Sequence, residues 1–159
     1  MDQRLKDYAR LLARRGVNVQ KGDEVWVEAS LDQPEFVRAA VEELYNAGAS
    51  YVEVHWSDDL TDKIGYKKES LSTLSKIKPY QLARLKYRAK KLPSMLYIMA
   101  EDPNVMKGVN QTKLTKANMK KYPKIKPYRD AMDGKYKWCI AAVPNVNWAK
   151  MVFPGEKDD

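Results

Sequence analysis

The sequence has very few of the side chains that bind transition metals. Among its 159 residues there is one cysteine, Cys139, and one histidine, His55. A single cysteine cannot form an internal disulfide, and one thiol with one imidazole excludes most zinc sites built from these ligands. Cys139 lies in the apolar run KWCIAAVP, where we expect a small buried residue with a structural role.

Long apolar segments and catalytic motifs are also missing. No apolar run approaches the roughly 20 residues that span a bilayer, and the first residues lack the apolar core of a secretory signal. We therefore expect a cytoplasmic protein that does not enter membranes. No G-x-S-x-G, H-E-x-x-H, C-x-x-C, G-x-G-x-x-G or P-loop motif occurs, so no motif predicts a catalytic site.

Charge is abundant but unevenly distributed. The net charge is +8, yet residues 1–62 carry 7 Lys and Arg against 13 Asp and Glu, whereas residues 63–137 carry 20 against 5. A positive field of this size is typical of surfaces that face nucleic acid, an anionic substrate or an acidic protein partner, and also of lysine-rich surfaces that face only solvent. Charge alone does not choose among them.

The hydrophobic content of 44% is enough for one domain with a real core. Period-two and apolar runs predict four strands, at residues 25–30, 51–56, 94–100 and 138–144. Helical spacing predicts a first helix at residues 3–15 and a second helix between Asp32, its N-cap, and Gly48, where it stops. It also predicts a helical region at residues 61–92 that is broken at Pro79, and a helix at residues 112–132. This order predicts a three-layer α/β fold, Rossmann-like, with a mainly parallel sheet of about four strands and helices on both faces.

Acidic side chains follow two of the predicted strands. In a parallel sheet ligands bind beyond the carboxyl ends of the strands, and these ends include Asp58 and Asp59 after the second strand and Glu101 and Asp102 after the third. The four carboxylates could bind a magnesium ion if the two strands are neighbours. Acids in such positions more often cap the next helix, and we prefer that interpretation, with Ser57 or Asp58 as the cap of a helix that starts near Leu60. We interpret His55 as part of a strand end that is not a catalytic site.

The basic middle of the chain favours a second interpretation, nucleic-acid binding. Lysines and arginines would contact phosphates and tyrosines would stack on bases. Against this, the tyrosines at positions 80, 87, 122 and 128 lie in predicted amphipathic segments, where we expect them to pack with their stems inside and their hydroxyls outside. No RNP, KH or helix-turn-helix signature is present.

Several stretches together resemble one known family. They are YARLLARRGVNVQKGDEVWVEAS, FVRAAVEELYNAGASYVEVHWSDD, AEDPNVMKGVN and WCIAAVPNVNWAKMVFP. In this order they are similar to the amino-terminal domain of the thermophilic-metalloprotease aminopeptidases, the group that includes aminopeptidase T, aminopeptidase S and PepS. The resemblance covers essentially the whole chain.

The resemblance implies a cytoplasmic exopeptidase that removes amino-terminal residues from peptides, uses a pair of divalent metal ions (zinc, cobalt or manganese) and assembles as a homodimer. In that family the metal ligands belong to a second, carboxy-terminal domain. We therefore expect residues 1–154 to form the amino-terminal α/β domain and residues 155–159 to begin an interdomain segment, with the catalytic domain absent. No catalytic, cofactor-binding or metal-binding residue is predicted in this chain.

The function expected on this basis is that of a non-catalytic domain that shapes the substrate cavity and supports assembly. Its partners would be the missing carboxy-terminal catalytic domain, a second copy in the whole enzyme and peptide substrates, with no membrane and no nucleic acid. The alternative is a stand-alone basic α/β module that binds nucleic acid or another polyanion.

Overall fold

The structure is a computed structural model that describes residues 2–100, 104–143 and 146–155. It contains four strands, namely β1 (Glu24–Ser30), β2 (Tyr51–Ser57), β3 (Ser94–Met99) and β4 (Trp138–Ala142). The described helices are α1 (Gln3–Leu11), α2 (Pro34–Asn46), α3 (Asp59–Lys68), α4 (Leu71–Leu74), α5 (Pro79–Lys91), α6 (Gln111–Met132) and α7 (Val146–Val152). A π-helical turn, Leu12–Gly16, follows α1 directly. No helix in these residues is long and apolar enough to cross a membrane.

All four strands are parallel, in the order β2-β1-β3-β4. The chain moves outward from β1 to β2, returns past β1 to β3 and continues to β4, so the direction of winding reverses between β1 and β3. With right-handed crossovers, such a reversal belongs to doubly wound sheets whose helices cover both faces. The predicted three-layer α/β fold is confirmed, and β1 and β3 are the two central strands.

The main core lies on one face of this sheet. The inward side chains of β1 are Val25, Val27 and Ala29, and they share a buried cluster with Leu96 and Ile98 of β3. Helices α1 and α2 close this cluster with buried residues at helical spacing, namely Ala9, Phe36, Val37, Ala40 and Leu44. The spacing i, i+3, i+4 that predicted these helices is thus the spacing that places their apolar side chains against the strands.

The chain divides into two compact units. The first, here called the sheet unit, comprises Met1–Asp59, Pro93–Val105 and Lys137–Asp159 and contains all four strands. The second, the helical unit, comprises Leu60–Leu92 and Met106–Tyr136, and within it α4 and α5 both contact α6. Among described residues the buried apolar side chains of the helical unit are Val109, Ala117 and Met132, whereas the other buried ones lie in the sheet unit.

The ends of α2 correct one prediction and confirm another. The N-cap is Gln33 and not Asp32, because Pro34 occupies the first helical position and its fixed φ starts the helix there. The Asp32 backbone N–H is instead bonded to Ser30 Oγ at 3.2 Å. At the other end Gly48 has φ +114°, its N–H donates to Tyr45 O, and the next N–H, of Ala49, donates to Leu44 O. These two bonds form the Schellman motif expected of a helix that stops at glycine.

Candidate functional site

The carboxyl edge of the sheet is where a parallel α/β fold places its chemistry. In the described residues, β1 and β2 end in register at Ser30 and Ser57. Ser30 is buried, with 6% of its surface exposed, and its hydroxyl accepts from the backbone of the following turn. Ser57 donates its hydroxyl to Ala29 O at 3.4 Å, and its carbonyl accepts from Leu31 N at 2.9 Å. Both serines therefore tie the strand ends together.

The magnesium hypothesis needed β2 and β3 to be neighbours, and this premise is wrong. Strand β1 lies between them, so two strand spacings, about 9.5 Å, separate β2 from β3. Asp59 is the first residue of α3 and Asp58 precedes it, as the helix-start interpretation requires. Glu101 and Asp102 lie outside the described residues. Among the residues that are described, no group of three or more His, Cys, Asp or Glu side chains could hold a metal ion.

His55 lies on the second face of the sheet, two residues before β2 ends. Its ring is tilted against the indole of Trp26, with 5.1 Å between the ring centres, and its Nε2 lies 3.0 Å from Glu53 Oε1. Trp26 is buried and donates its indole N–H to Glu24 Oε1 at 2.7 Å. This arrangement joins β1 to β2 through side chains one strand spacing apart, which is how cross-strand pairs stabilise a sheet. It was missed in the sequence because strand pairing cannot be read from either strand alone.

Cys139 has the packing role predicted for it. It is partly buried against the main core, and its Sγ is the atom that a Cβ on Gly16 would meet, at 2.7 Å. Burial raises the pKa of the Cys139 thiol above its ordinary value of 9.0. Tyr8 packs nearby, and burial, followed by the Cys139 charge, raises the pKa of its phenol. A thiol with a raised pKa is a poor nucleophile at neutral pH.

The helical unit concentrates the positive charge of the chain. Its two segments contain 19 Lys and Arg against 4 Asp and Glu, a balance of +15, which leaves the sheet unit with 10 against 17, or −7. On α6 the lysines Lys116, Lys120 and Lys124 repeat every four residues and all three are exposed. We call these three residues the α6 lysine row. The sequence prediction identified the basic region but did not resolve this row within it.

The tyrosines of the helical unit agree with the expectation only in part. Tyr80 is 70% exposed and does not pack its ring, whereas Tyr122 and Tyr87 are 47% and 43% exposed, which fits side chains whose hydroxyls face outward. Tyr128 is partly buried and agrees better with the prediction.

Comparison with known proteins supports the resemblance seen in the sequence. The model of the thermophilic metalloprotease (M29) family matches residues 1–159. Aminopeptidase PepS of Streptococcus thermophilus is 31% identical over 158 residues, and aminopeptidase AmpS of Bacillus subtilis is 29% identical over 158 residues. Each alignment covers 99% of this chain and 38% of the relative, so the chain spans well under half the length of the curated relatives it matches.

A solved structure shares the fold. Wild-type AmpT from Thermus thermophilus superposes with a TM-score of 0.82 and 26% sequence identity, covering 95% of this chain and 38% of that one. The likeness therefore extends over nearly all of the present chain and over a minority of the other protein.

Proposed function

Because this chain belongs to the thermophilic metalloprotease (M29) family, we propose that it acts as the amino-terminal domain of a metal-dependent aminopeptidase. The proposal rests on what the curated relatives are and on how much of each one this chain aligns with. The curated relatives are aminopeptidases, and the chain aligns over 99% of its own length with 38% of theirs. The whole enzyme would remove amino-terminal residues from peptides in the cytoplasm.

The metal pair of such an enzyme does not fit the side chains described here. The one histidine lies 3.0 Å from Glu53 with its ring tilted against Trp26, and the one cysteine is packed against Gly16. No cluster of His, Cys, Asp or Glu among the described residues offers three ligands. We therefore assign no catalytic, cofactor or metal residue to this chain and derive no reaction step from it. Zinc, cobalt or manganese would be held by the part of the enzyme that the chain does not cover.

The role that remains is structural, and exposed apolar side chains of the sheet unit support it. Strand β4 is an edge strand, and its outward side chains Trp138 and Ile140 are 59% and 55% exposed. Near the carboxyl end, Met151, Val152 and Phe153 are each more than half exposed. Large exposed apolar residues of this kind mark surfaces that contact other protein surfaces. We propose that they contact the carboxy-terminal catalytic domain or a second copy in a homodimer, which would shape the cavity for peptide substrates.

In this proposal residues 1–154 form the domain and residues 155–159 begin the connection to the catalytic domain. The test is hydrolysis of leucine p-nitroanilide in the presence of zinc, cobalt or manganese. We expect no metal-dependent hydrolysis from the 159-residue chain. We expect hydrolysis from a chimera in which this chain precedes the part of PepS that it does not align with.

Intact PepS and its carboxy-terminal part alone are the controls. Turnover by the 159-residue chain with a bound metal would contradict the proposal. So would a chimera that folds and binds metal but has no more activity than the PepS part alone, since this chain would then not replace the amino-terminal domain.

A further inference from the structure

We propose that the helical unit binds the phosphate backbone of single-stranded nucleic acid through the α6 lysine row, as a property additional to the aminopeptidase role. Nucleic-acid binding is the alternative function that the sequence leaves open, and one argument against it was that the tyrosines of this region would pack with their ring stems inside. The exposure of Tyr80 weakens that argument, and the structure adds a row of exposed cations.

The row is regular in its spacing along the sequence. Residues four apart on an ideal α-helix differ by about 40° around the axis and by about 6 Å along it, so Lys116 and Lys120 lie on one side of α6. Pro123 lies inside α6 between Lys120 and Lys124, and because a proline inside a helix kinks it, Lys124 follows this spacing only approximately. All three side chains are exposed. A row of evenly spaced cations on a helix fits a linear partner with evenly spaced negative charges.

The charge of this row is not neutralised within the described part of the chain. None of its lysines forms an ion pair there, and the one ion pair described within α6 joins Lys126 to Asp130. Lysines at i, i+4 repel one another and destabilise the helix. The balance of +15 on the helical unit adds to this repulsion. A bound polyanion would relieve it and release counterions, which is the main source of affinity for nucleic acid.

The lysine-rich composition of the helical unit is not typical of a protein interface. Of the 19 basic residues in the helical unit, 16 are Lys and 3 are Arg. Protein interfaces are enriched in Arg and depleted of Lys relative to the rest of the surface. Because Arg binds both carboxylates and phosphates through two hydrogen bonds, its scarcity also indicates that the partner is not held by bidentate contacts. Lysine acts as a point charge that satisfies a phosphate oxygen from many directions, which suits contact with a backbone irrespective of sequence.

Exposed aromatic rings favour a single strand over a duplex. Tyr80 and Tyr122 lie in the same unit as the row, and Lys121 directly precedes Tyr122 while Lys78 lies two residues before Tyr80. Bases of a single strand are free to stack on tyrosine, whereas those of a duplex are already stacked on each other. Every base can stack on an aromatic ring, so we expect similar affinity for pyrimidine single strands of different sequence.

The experiment measures binding of a fluorescein-labelled 20-nucleotide oligothymidylate to the 159-residue chain between about 50 and 200 mM salt. We expect log K to fall linearly with log salt concentration, since each phosphate contact in a single strand contributes about 0.7 to the slope. The variant K116Q/K120Q/K124Q should lower the slope by about 2 and weaken binding at least tenfold at the lowest salt. Gln keeps the helix propensity of Lys, so the variant should fold, which circular dichroism checks.

The matched control is R14Q/K21Q/R38Q, which removes the same charge from exposed positions of the sheet unit. It should change binding less than threefold. The proposal is overturned if both triple variants lose affinity equally, because binding would then follow net charge alone. It is also overturned if no binding occurs at about 50 mM salt, or if polyglutamate competes as well as unlabelled oligothymidylate, which would identify an acidic protein as the partner. None of these outcomes bears on aminopeptidase activity.

Discussion

Gly16 and Cys139 meet where the π-helical turn packs against β4, and there is no room between them for another carbon. A Cβ on Gly16 would lie 2.7 Å from Cys139 Sγ. We predict that Gly16→Ala lowers the free energy of unfolding by about 1 to 3 kcal/mol, the usual cost of overpacking. Urea denaturation followed by tryptophan fluorescence measures it.

The control for this prediction is Gly16→Ala in a protein that lacks the Cys139 thiol. In a Cys139→Ala background the nearest obstructing atom is gone, so Gly16→Ala should cost less than about 0.5 kcal/mol beyond the effect of Cys139→Ala itself. Equal costs in both backgrounds would show that the penalty comes from the turn and not from the contact with Cys139.

Burial of Cys139 and Tyr8 gives the stability a dependence on alkaline pH. Both groups have pKa values raised in the folded state, above ordinary values of 9.0 and 10.0. The folded state therefore holds these protons more tightly than the unfolded state does. The resulting stability is complete below the ordinary pKa values and is lost as the pH rises through the raised ones. We predict that the unfolding free energy falls above about pH 9, and that the Tyr8→Phe/Cys139→Ala double variant falls less between pH 9 and pH 11.

At the scale of the element, the end of α2 depends on a conformation that only glycine adopts easily. Gly48 has φ +114°, outside the left-handed helical region, and a Cβ there would lie 3.1 Å from the backbone Cα of Lys21. We predict that Gly48→Ala lowers the free energy of unfolding by about 2 to 4 kcal/mol, because strain and a backbone clash act together.

Gly134 is the matched control. It also has positive φ, at +65°, but open space around its Cα, so Gly134→Ala should cost about 1 kcal/mol.

The two thermal unfolding curves decide this prediction. A Gly48→Ala variant as stable as Gly134→Ala would mean that the backbone of Lys21 moves aside and that the Schellman motif contributes little.

The secondary-structure elements were largely predictable because each depends on neighbours in sequence. The apolar spacing from Phe36 to Leu44 fixes α2, and Gly48 ends it. The position of the N-cap was wrong by one residue because two start signals, Asp32 and Pro34, competed and the backbone constraint of proline prevailed. The short helix α7 was not predicted, since seven residues carry too little periodic signal. The contact between Trp26 and His55 depends on which strands pair, and the exposure of Tyr80 depends on which segments cover its ring. Both involve residues far apart in sequence.

At the scale of the whole molecule, core and charge are divided between the two units. Most buried apolar residues are in the sheet unit, whereas the helical unit carries +15. Apolar burial stabilises the first, and mutual repulsion destabilises the second. We predict that amide hydrogen exchange is slowest in β1 and β3 and faster in α6.

Salt should change these rates selectively. Raising ionic strength from about 0.01 M to 0.15 M shortens the screening length from about 30 Å to about 8 Å, so repulsion among the lysines of the helical unit weakens. Exchange in α6 should slow, while exchange in β1 should stay the same and serves as the internal control. Exchange in α6 that does not respond to salt would show that repulsion is not what limits the stability of this unit.

The unpaired edge of β4 also affects the tendency of the isolated chain to aggregate in concentrated solution. An edge strand has unpaired backbone N–H and C=O groups, and in β4 the exposed apolar side chains Trp138 and Ile140 lie beside them. An extended polypeptide could therefore pair with the backbone of β4 and contact these side chains. At high concentration, strands from other molecules would add there, and slow growth of filaments would follow. A lysine in place of Ile140 would act as a gatekeeper against such growth, and would do so without touching the main core on the opposite face of the sheet.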